Sequence, residues 1–300
     1  MGRYGGLDRT ISRGASQRRF LGFGGIPAPS LRYRSDLIYP TIDNLPSTVT
    51  INGQAGTTVF RYKGGDLVVS PSVSWPAWGT GETLSGADSG DDPTPNDGSP
   101  LLGVNDDSAK FNGGVVLQAS GSSFADITTE DFYIEFLYFT GPDVTDYFFA
   151  KGAPGATGYR IYYTITGKIS LYIYDGSGYY FGRYDTEFVP NTWYFVSMFL
   201  DRNEATNSYA FRIYANNMTN MYYSIGGAGS FAAVSGSLTT TKKLTIGSDS
   251  DFGSKGEFNL AYLLMAKKSG WFAGGAQNLT DWAAFHQDRF YSLAAVYPQI

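Results

Sequence analysis

Three hundred residues carrying a formal charge of −5 suffice for one large domain with extensions or two modest ones, so core size is not limiting. The chain has no cysteine and one histidine, which excludes a disulfide framework, thiolate redox chemistry, His-metal clusters and Cys–His pairs. With 38 glycines and 16% aromatic residues, it is expected to be all-β, because rings suit pleated, half-buried surfaces and glycine serves tight turns. No leading apolar segment and no run of about 18 apolar residues is present, so the protein is expected to be soluble as made and not exported by a cleaved signal.

Residues 1–47 read as an extended basic N-terminal arm. Its first 34 residues hold seven arginines against a single Asp8, with no sustained period of 2 or 3.6. Such a segment cannot bury enough apolar surface to fold alone. Two readings stay open: a solubilising tail, or an arm that docks on a partner through Arg3, Arg9, Arg13, Arg18, Arg19, Phe20, Phe23, Arg32, Tyr33 and Arg34.

Residues 48–104 read as a small β unit and an acidic linker. Thr57 to Arg61 and Asp66 to Ser74 are predicted strands, with Lys63-Gly64-Gly65 as their hairpin turn. The stretch from Gly79 to Pro100 is polar, and its Pro, Gly, Asp and Asn favour turns. Glu82 to Asp107 contains seven acids and no base, so a basic arm precedes an acidic body.

Beyond residue 105 alternation is sustained. In Phe132 to Tyr138 one face reads Phe, Ile, Phe, Tyr and the other Tyr, Glu, Leu. Ile169, Leu171 and Ile173 oppose Ser170, Tyr172 and Tyr174, and Phe258, Leu260, Tyr262 and Leu264 are assigned to one face. Many short strands, each with one apolar face, require two sheets packed together. At residues 269–300, Thr280-Asp281 is a candidate cap for a short helix bearing Trp282, Phe285, Arg289 and Leu293.

Four segments carry a family likeness: Ala109 to Gly114, Asp131 to Phe136, Asn191 to Val196, and Leu244 to Gly247 followed by Gly256-Glu257-Phe258. Their order and spacing resemble the concanavalin A-like, laminin G-like jelly-roll domain found in bacteriophage virion proteins, here over residues 105–268. The resemblance implies a jelly-roll β-sandwich and a binding or assembly role. It raises the expectation of a virion structural protein, a capsid decoration, head-fibre or tail-associated component partnered by other virion subunits and by copies of itself. An adhesin for host glycans is the alternative, and a glycoside hydrolase a third.

Catalysis finds little support. No G-x-S-x-G elbow exists to use His286, which reads as a packed or surface helical histidine. The nearest carboxylate pairs are Asp131 with Glu135, and Asp249 with Asp251, without the dense acidic alternation of a sandwich glycosidase. Calcium could draw on Asp88, Asp91, Asp92, Asp97, Asp106 and Asp107, or on Asp249 and Asp251, yet none fits a dedicated calcium loop; no cofactor is expected. The arm's arginines could meet nucleic acid, but the acidic body opposes that. What is left is aromatic: Tyr162, Tyr172, Tyr174, Tyr179, Tyr180 and Tyr184 fall on neighbouring predicted strands, as a glycan platform or as a structural ladder.

Overall fold

A computed structural model describes residues 45–69, 72–87, 93–96, 108–114, 116–141, 146–153, 155–163, 167–184, 186–202, 210–217, 222–225, 234–251, 255–272 and 276–294. The strands, in chain order, are β1 (Thr50–Ile51), β2 (Gln54–Ala55), β3 (Thr57–Lys63), β4 (Ser74–Trp75), β5 (Leu84–Gly86), β6 (Thr94–Asn96), β7 (Ser108–Asn112), β8 (Leu117–Gln118) and β9 (Asp131–Thr140). They continue as β10 (Asp146–Lys151), β11 (Gly158–Tyr163), β12 (Ile169–Tyr174), β13 (Tyr179–Arg183), β14 (Trp193–Leu200), β15 (Phe211–Asn217), β16 (Tyr222–Ile225), β17 (Thr245–Ile246) and β18 (Glu257–Lys268), followed by the helix α1 (Ala276–Ala294).

Apart from the β1–β2 hairpin, these strands build two antiparallel sheets. The front sheet runs β16-β15-β14-β9-β18-β7-β6, with β3 also paired to β18, and the back sheet runs β13-β12-β11-β10-β17-β8-β5-β4. This is the expected all-β jelly-roll sandwich. The four segments of the family likeness fall on β7, β9, β14, β17 and β18. Of these, β14, β9, β18 and β7 are consecutive neighbours at the centre of the front sheet.

Period-2 alternation sorts side chains between two cores. From β9, Phe132, Ile134, Phe136 and Tyr138 enter the space between the sheets, where β12 contributes Ile169, Leu171 and Ile173. The opposite parity of β9, Tyr133 and Leu137, joins Phe195, Phe199, Tyr262, Trp271, Phe272, Trp282 and Phe290 in a second core on the outer side of the front sheet. Strand β9 is buried on both faces, and an amphipathic helix laid over a sheet is what makes that arrangement stable.

Strand β18 departs from the sequence pattern. Phe258 and Leu260 face the inter-sheet core, whereas Tyr262 and Leu264 face the helix side. The register against β9 slips between Leu260 and Tyr262, and a single extra residue in a bulge inverts the parity of everything after it.

The region before residue 105 also differs. Gly64–Asp66 is a short 3-10 turn, and of the second predicted strand only its last residue, Ser74, lies in a sheet strand, Ser74–Trp75. That turn is no hairpin: β3 pairs with β18 of the front sheet, while β4 pairs with β5 of the back sheet. Strands β5 and β6, inside the expected acidic linker, close onto β8 and β7. Strands β3 to β6 therefore join the two sheets of the sandwich instead of standing apart. The physical reason is β18, whose 12 residues outrun β7 and need a second partner along the same edge.

The two ends of the described chain meet. Trp271 Nε1 donates to the Gln54 carbonyl at 2.9 Å, and a Cβ placed on Gly56 would lie 2.2 Å from the same indole, so only glycine allows the β2–β3 junction to press that close. Helix α1 begins at Ala276, four residues before the predicted Thr280-Asp281 cap. Trp282 and Arg289 are buried and Phe285 is half-buried, as their helical spacing implied; the Leu293 side chain lies outside the described residues.

Candidate functional site

The arm residues Arg3, Arg9, Arg13, Arg18, Arg19, Phe20, Phe23, Arg32, Tyr33 and Arg34 lie outside the described residues, as do Asp88, Asp91, Asp92, Asp97, Asp106 and Asp107. The described candidates divide between the two outer faces of the sandwich.

Under α1, one of the two carboxylate pairs considered for catalysis, Asp131 with Glu135, is buried. Glu135 is fully buried and paired with Arg289, whose Nε donates to Oε2 at 2.8 Å and whose Nη2 donates to Oε1. The Tyr133 hydroxyl donates to Oε2 at 2.5 Å and that of Tyr262 to Oε1 at 2.9 Å. Burial, and then the Glu135 charge, push both phenols well above their ordinary range, so they stay protonated as donors. Burial lowers the Arg289 pKa, but the charge and hydrogen bond of Glu135, with Tyr262 and Tyr133, together hold it above its ordinary value.

This network also fixes the state of His286. Tyr133 gives its only proton to Glu135, an acceptor-only group, so Ser197 Oγ, 3.0 Å away, must donate to Tyr133. Ser197 then has no proton left for His286 Nδ1 at 2.8 Å, and the imidazole must donate to the serine. A Ser–His nucleophile pair requires the reverse polarity. The ring stacks against Phe195 at 5.4 Å and Tyr214 at 5.6 Å, and burial pushes its pKa down to about 3. His286 is a packed helical histidine, one of the two readings its place in the sequence left open.

Asp131, on the same strand, is buried too. Its Oδ1 accepts from the Arg202 amide at 2.8 Å and its Oδ2 from the Trp271 amide at 2.6 Å, so it ties β9 to the entrance of α1. Of the remaining acids, Asp249 is buried and accepts from the Asp251 amide at 3.0 Å, while Asp251 pairs with Lys242. Among the described residues no group of three or more His, Cys, Asp or Glu is placed to hold a metal ion.

The outer face of the back sheet is different in kind. Cross-strand register places Tyr147, Tyr162, Ser170 and Arg183 in one row across β10–β13. Ala150, Arg160, Tyr172 and Phe181 form the next, and Gly158, Tyr174 and Tyr179 a third. Rings meet within and between rows: Tyr147–Tyr162 at 5.4 Å, Tyr162–Tyr172 at 4.8 Å, Tyr172–Phe181 stacked at 5.5 Å and Tyr174–Tyr179 stacked at 4.5 Å. Tyr179 is 54% and Phe181 44% exposed, while Tyr147, Tyr162, Tyr172 and Tyr174 are half-buried by one another. The Arg160 guanidinium lies 5.6 Å from the Tyr147 ring centroid.

Of the six tyrosines singled out in the sequence, Tyr162, Tyr172, Tyr174 and Tyr179 share this platform. Tyr180 and Tyr184 do not. Tyr180 opposes Ile173 in register and packs against the inter-sheet core, and Tyr184 is buried within that core. Parity is the reason, since adjacent residues of a strand point to opposite faces. Tyr147, Arg160 and Phe181 were missed, although the same parity, counted from Tyr162 and Tyr179, would have found Arg160 and Phe181.

No family model matches the chain, and a search of curated proteins finds no match. Among solved structures the chain is similar to domain 4 of an extracellular arabinanase from Geobacillus stearothermophilus, solved with arabinotriose, at 14% identity and a TM-score of 0.45 over 78% of this chain and 98% of that one. It is similar to a tailspike protein of the Escherichia coli O157:H7 bacteriophage CAB120 at 13% identity and a TM-score of 0.45, over 69% of this chain and 27% of the tailspike. Domains LG4-5 of the mouse laminin α1 chain give 13% identity and a TM-score of 0.39 over 53% of this chain and 42% of theirs.

Proposed function

We propose that this chain is a non-enzymatic, metal-independent carbohydrate-binding module whose contact surface is the outer face of β10–β13. The observation that carries the reading is the platform itself: six rings on one sheet face, two of them substantially exposed, with Tyr hydroxyls at their edges. Flat rings cover the apolar faces of sugars, and phenolic hydroxyls and arginines bond to sugar hydroxyls. An uncovered aromatic patch of this kind marks a recognition surface. On the opposite face Asp131, Glu135 and His286 are buried, and no reaction is assigned to that face.

A glycan array probed with the full chain tests this reading. Tyr172→Ala and Phe181→Ala should each abolish or strongly weaken any glycan that binds, whereas Tyr184→Phe, within the core, should not. Binding that survives both platform substitutions rejects it.

The same module is proposed to work on a phage particle, as a capsid decoration, head-fibre or tail-associated protein held by its arm and repeated in symmetric copies that add avidity. What supports this is the charge asymmetry, seven arginines against one acid in the first 34 residues of an acidic chain, together with the four-segment likeness to virion jelly rolls. Removal of residues 1–34 should abolish association with particles and leave glycan binding intact. Unchanged association excludes the arm as the anchor.

A further inference from the structure

Resting on the glycan reading above, we infer that the platform selects acidic sugars, those bearing a carboxylate or a sulfate, because an aromatic stripe is flanked on each side by an arginine. Tyr147, Tyr162, Tyr172 and Phe181 form the stripe, each ring 4.8–5.5 Å from the next. It runs diagonally: Tyr162 sits one step along β11 from Arg160, and Phe181 one step along β13 from Arg183, with Tyr172 between them on β12. The arginines thus occupy the other diagonal, their backbones roughly 12 Å apart by two strand spacings and one two-residue step. A sugar ring stacked on Tyr162 and Tyr172 would sit between the two arginine positions.

Charge bookkeeping on this face is one-sided. Among the described residues that register places there, the charged side chains are Arg160 and Arg183, both cationic, in a chain whose formal charge is −5. Arg160 is only 7% exposed, and its described partners are the Tyr147 ring and the Tyr147 hydroxyl, 3.5 Å from Nη1. Compare Arg289, also buried, which is matched by Glu135. Burying a guanidinium without a carboxylate is costly unless an anion arrives, and a planar donor fork suits carboxylate and sulfate geometry. Arg160 supplies a fixed charge beside the rings, and the exposed Arg183 can close on the bound group from the sheet edge.

The experiment compares three probes on the full chain by calorimetry: an oligogalacturonate, a sulfated galactan oligomer and the corresponding neutral galactan oligomer. Either charged probe should bind at least about tenfold tighter than the neutral one, with affinity falling as salt rises. Arg183→Gln, at an exposed edge position, should erase most of that preference, and Arg160→Met should do the same where it folds. Equal affinity for charged and neutral probes, or a preference untouched by Arg183→Gln, overturns the inference while the platform reading stands if Tyr172→Ala still abolishes binding. If none of the three probes binds, or if charged probes bind independently of Tyr172 and Phe181, both fall.

Discussion

The sandwich has two outer faces written in nearly the same aromatic alphabet, and they have opposite fates. The front face presents Tyr133, Phe195, Phe199, Tyr214 and Tyr262, all buried beneath α1; the back face presents Tyr147, Tyr162, Tyr172, Tyr174, Tyr179 and Phe181, with rings reaching solvent. What differs is the cover and the treatment of charge. Beneath the helix each ionised group is matched, Glu135 by Arg289 and two phenols, whereas on the open face the cations lie without a described carboxylate. Aromatic strands become core where an element covers them and stay partly exposed where no described element does.

The sharpest way to break this contrast is to unbalance the covered face. Arg289→Met leaves Glu135 buried with two phenol donors and no counter-charge, and should cost about 3–5 kcal/mol, read as a loss of the denaturation midpoint in urea. Adding Glu135→Leu to that variant should restore most of the loss, because an apolar pair of similar volume avoids desolvating two ions. A double variant no more stable than Arg289→Met would mean that the ion pair is not an isolated, balanced unit. Neither change should alter the platform.

A smaller effect comes from His286. Its folded pKa is about 3 against an ordinary 6.5, so between those values the unfolded chain binds a proton that the folded chain refuses. Stability is therefore fully present above about pH 6.5 and declines as pH falls toward 3, by up to roughly 1.4 kcal/mol per pH unit from this group. His286→Phe, which keeps the stacking on Phe195 and Tyr214, should flatten the stability profile in that window relative to the parent chain. Equal slopes in the two proteins would show that the imidazole is already protonated when folded.

How much of this could be read from the sequence follows the same division. Strands with clean alternation, β9 and β12, announced both their faces, and the position of Tyr172 opposite Ile173's parity put it on the outer side from sequence alone. Failures came where periodicity is broken or non-local. The register slip in β18 is invisible in the apolar run Leu260 to Met265, since every residue there is buried whichever way it points. Likewise nothing local in Thr57–Lys63 says that its partner is Tyr262–Lys267, some two hundred residues later. The Glu135–Arg289 pair joins residues 154 apart, and only the docked helix brings them together. On the platform, Tyr180 misled because a run of two tyrosines followed by Phe181 conceals which of them shares the outward face.

The smallest expected effect closes the comparison from the open side. Phe181 is 44% exposed and lies on the edge strand β13, so Phe181→Ala removes little buried area and should shift unfolding stability by no more than about 1 kcal/mol. Trp282→Ala, by contrast, empties a fully buried indole stacked on Phe199 at 5.4 Å and should cost about 3–5 kcal/mol. Measured side by side in urea, the two aromatic truncations should separate cleanly, with glycan binding moving in the opposite order. A Phe181→Ala loss as large as that of Trp282→Ala would mean the back-face rings are a structural layer beneath some cover, and that what sets the two faces apart is not exposure.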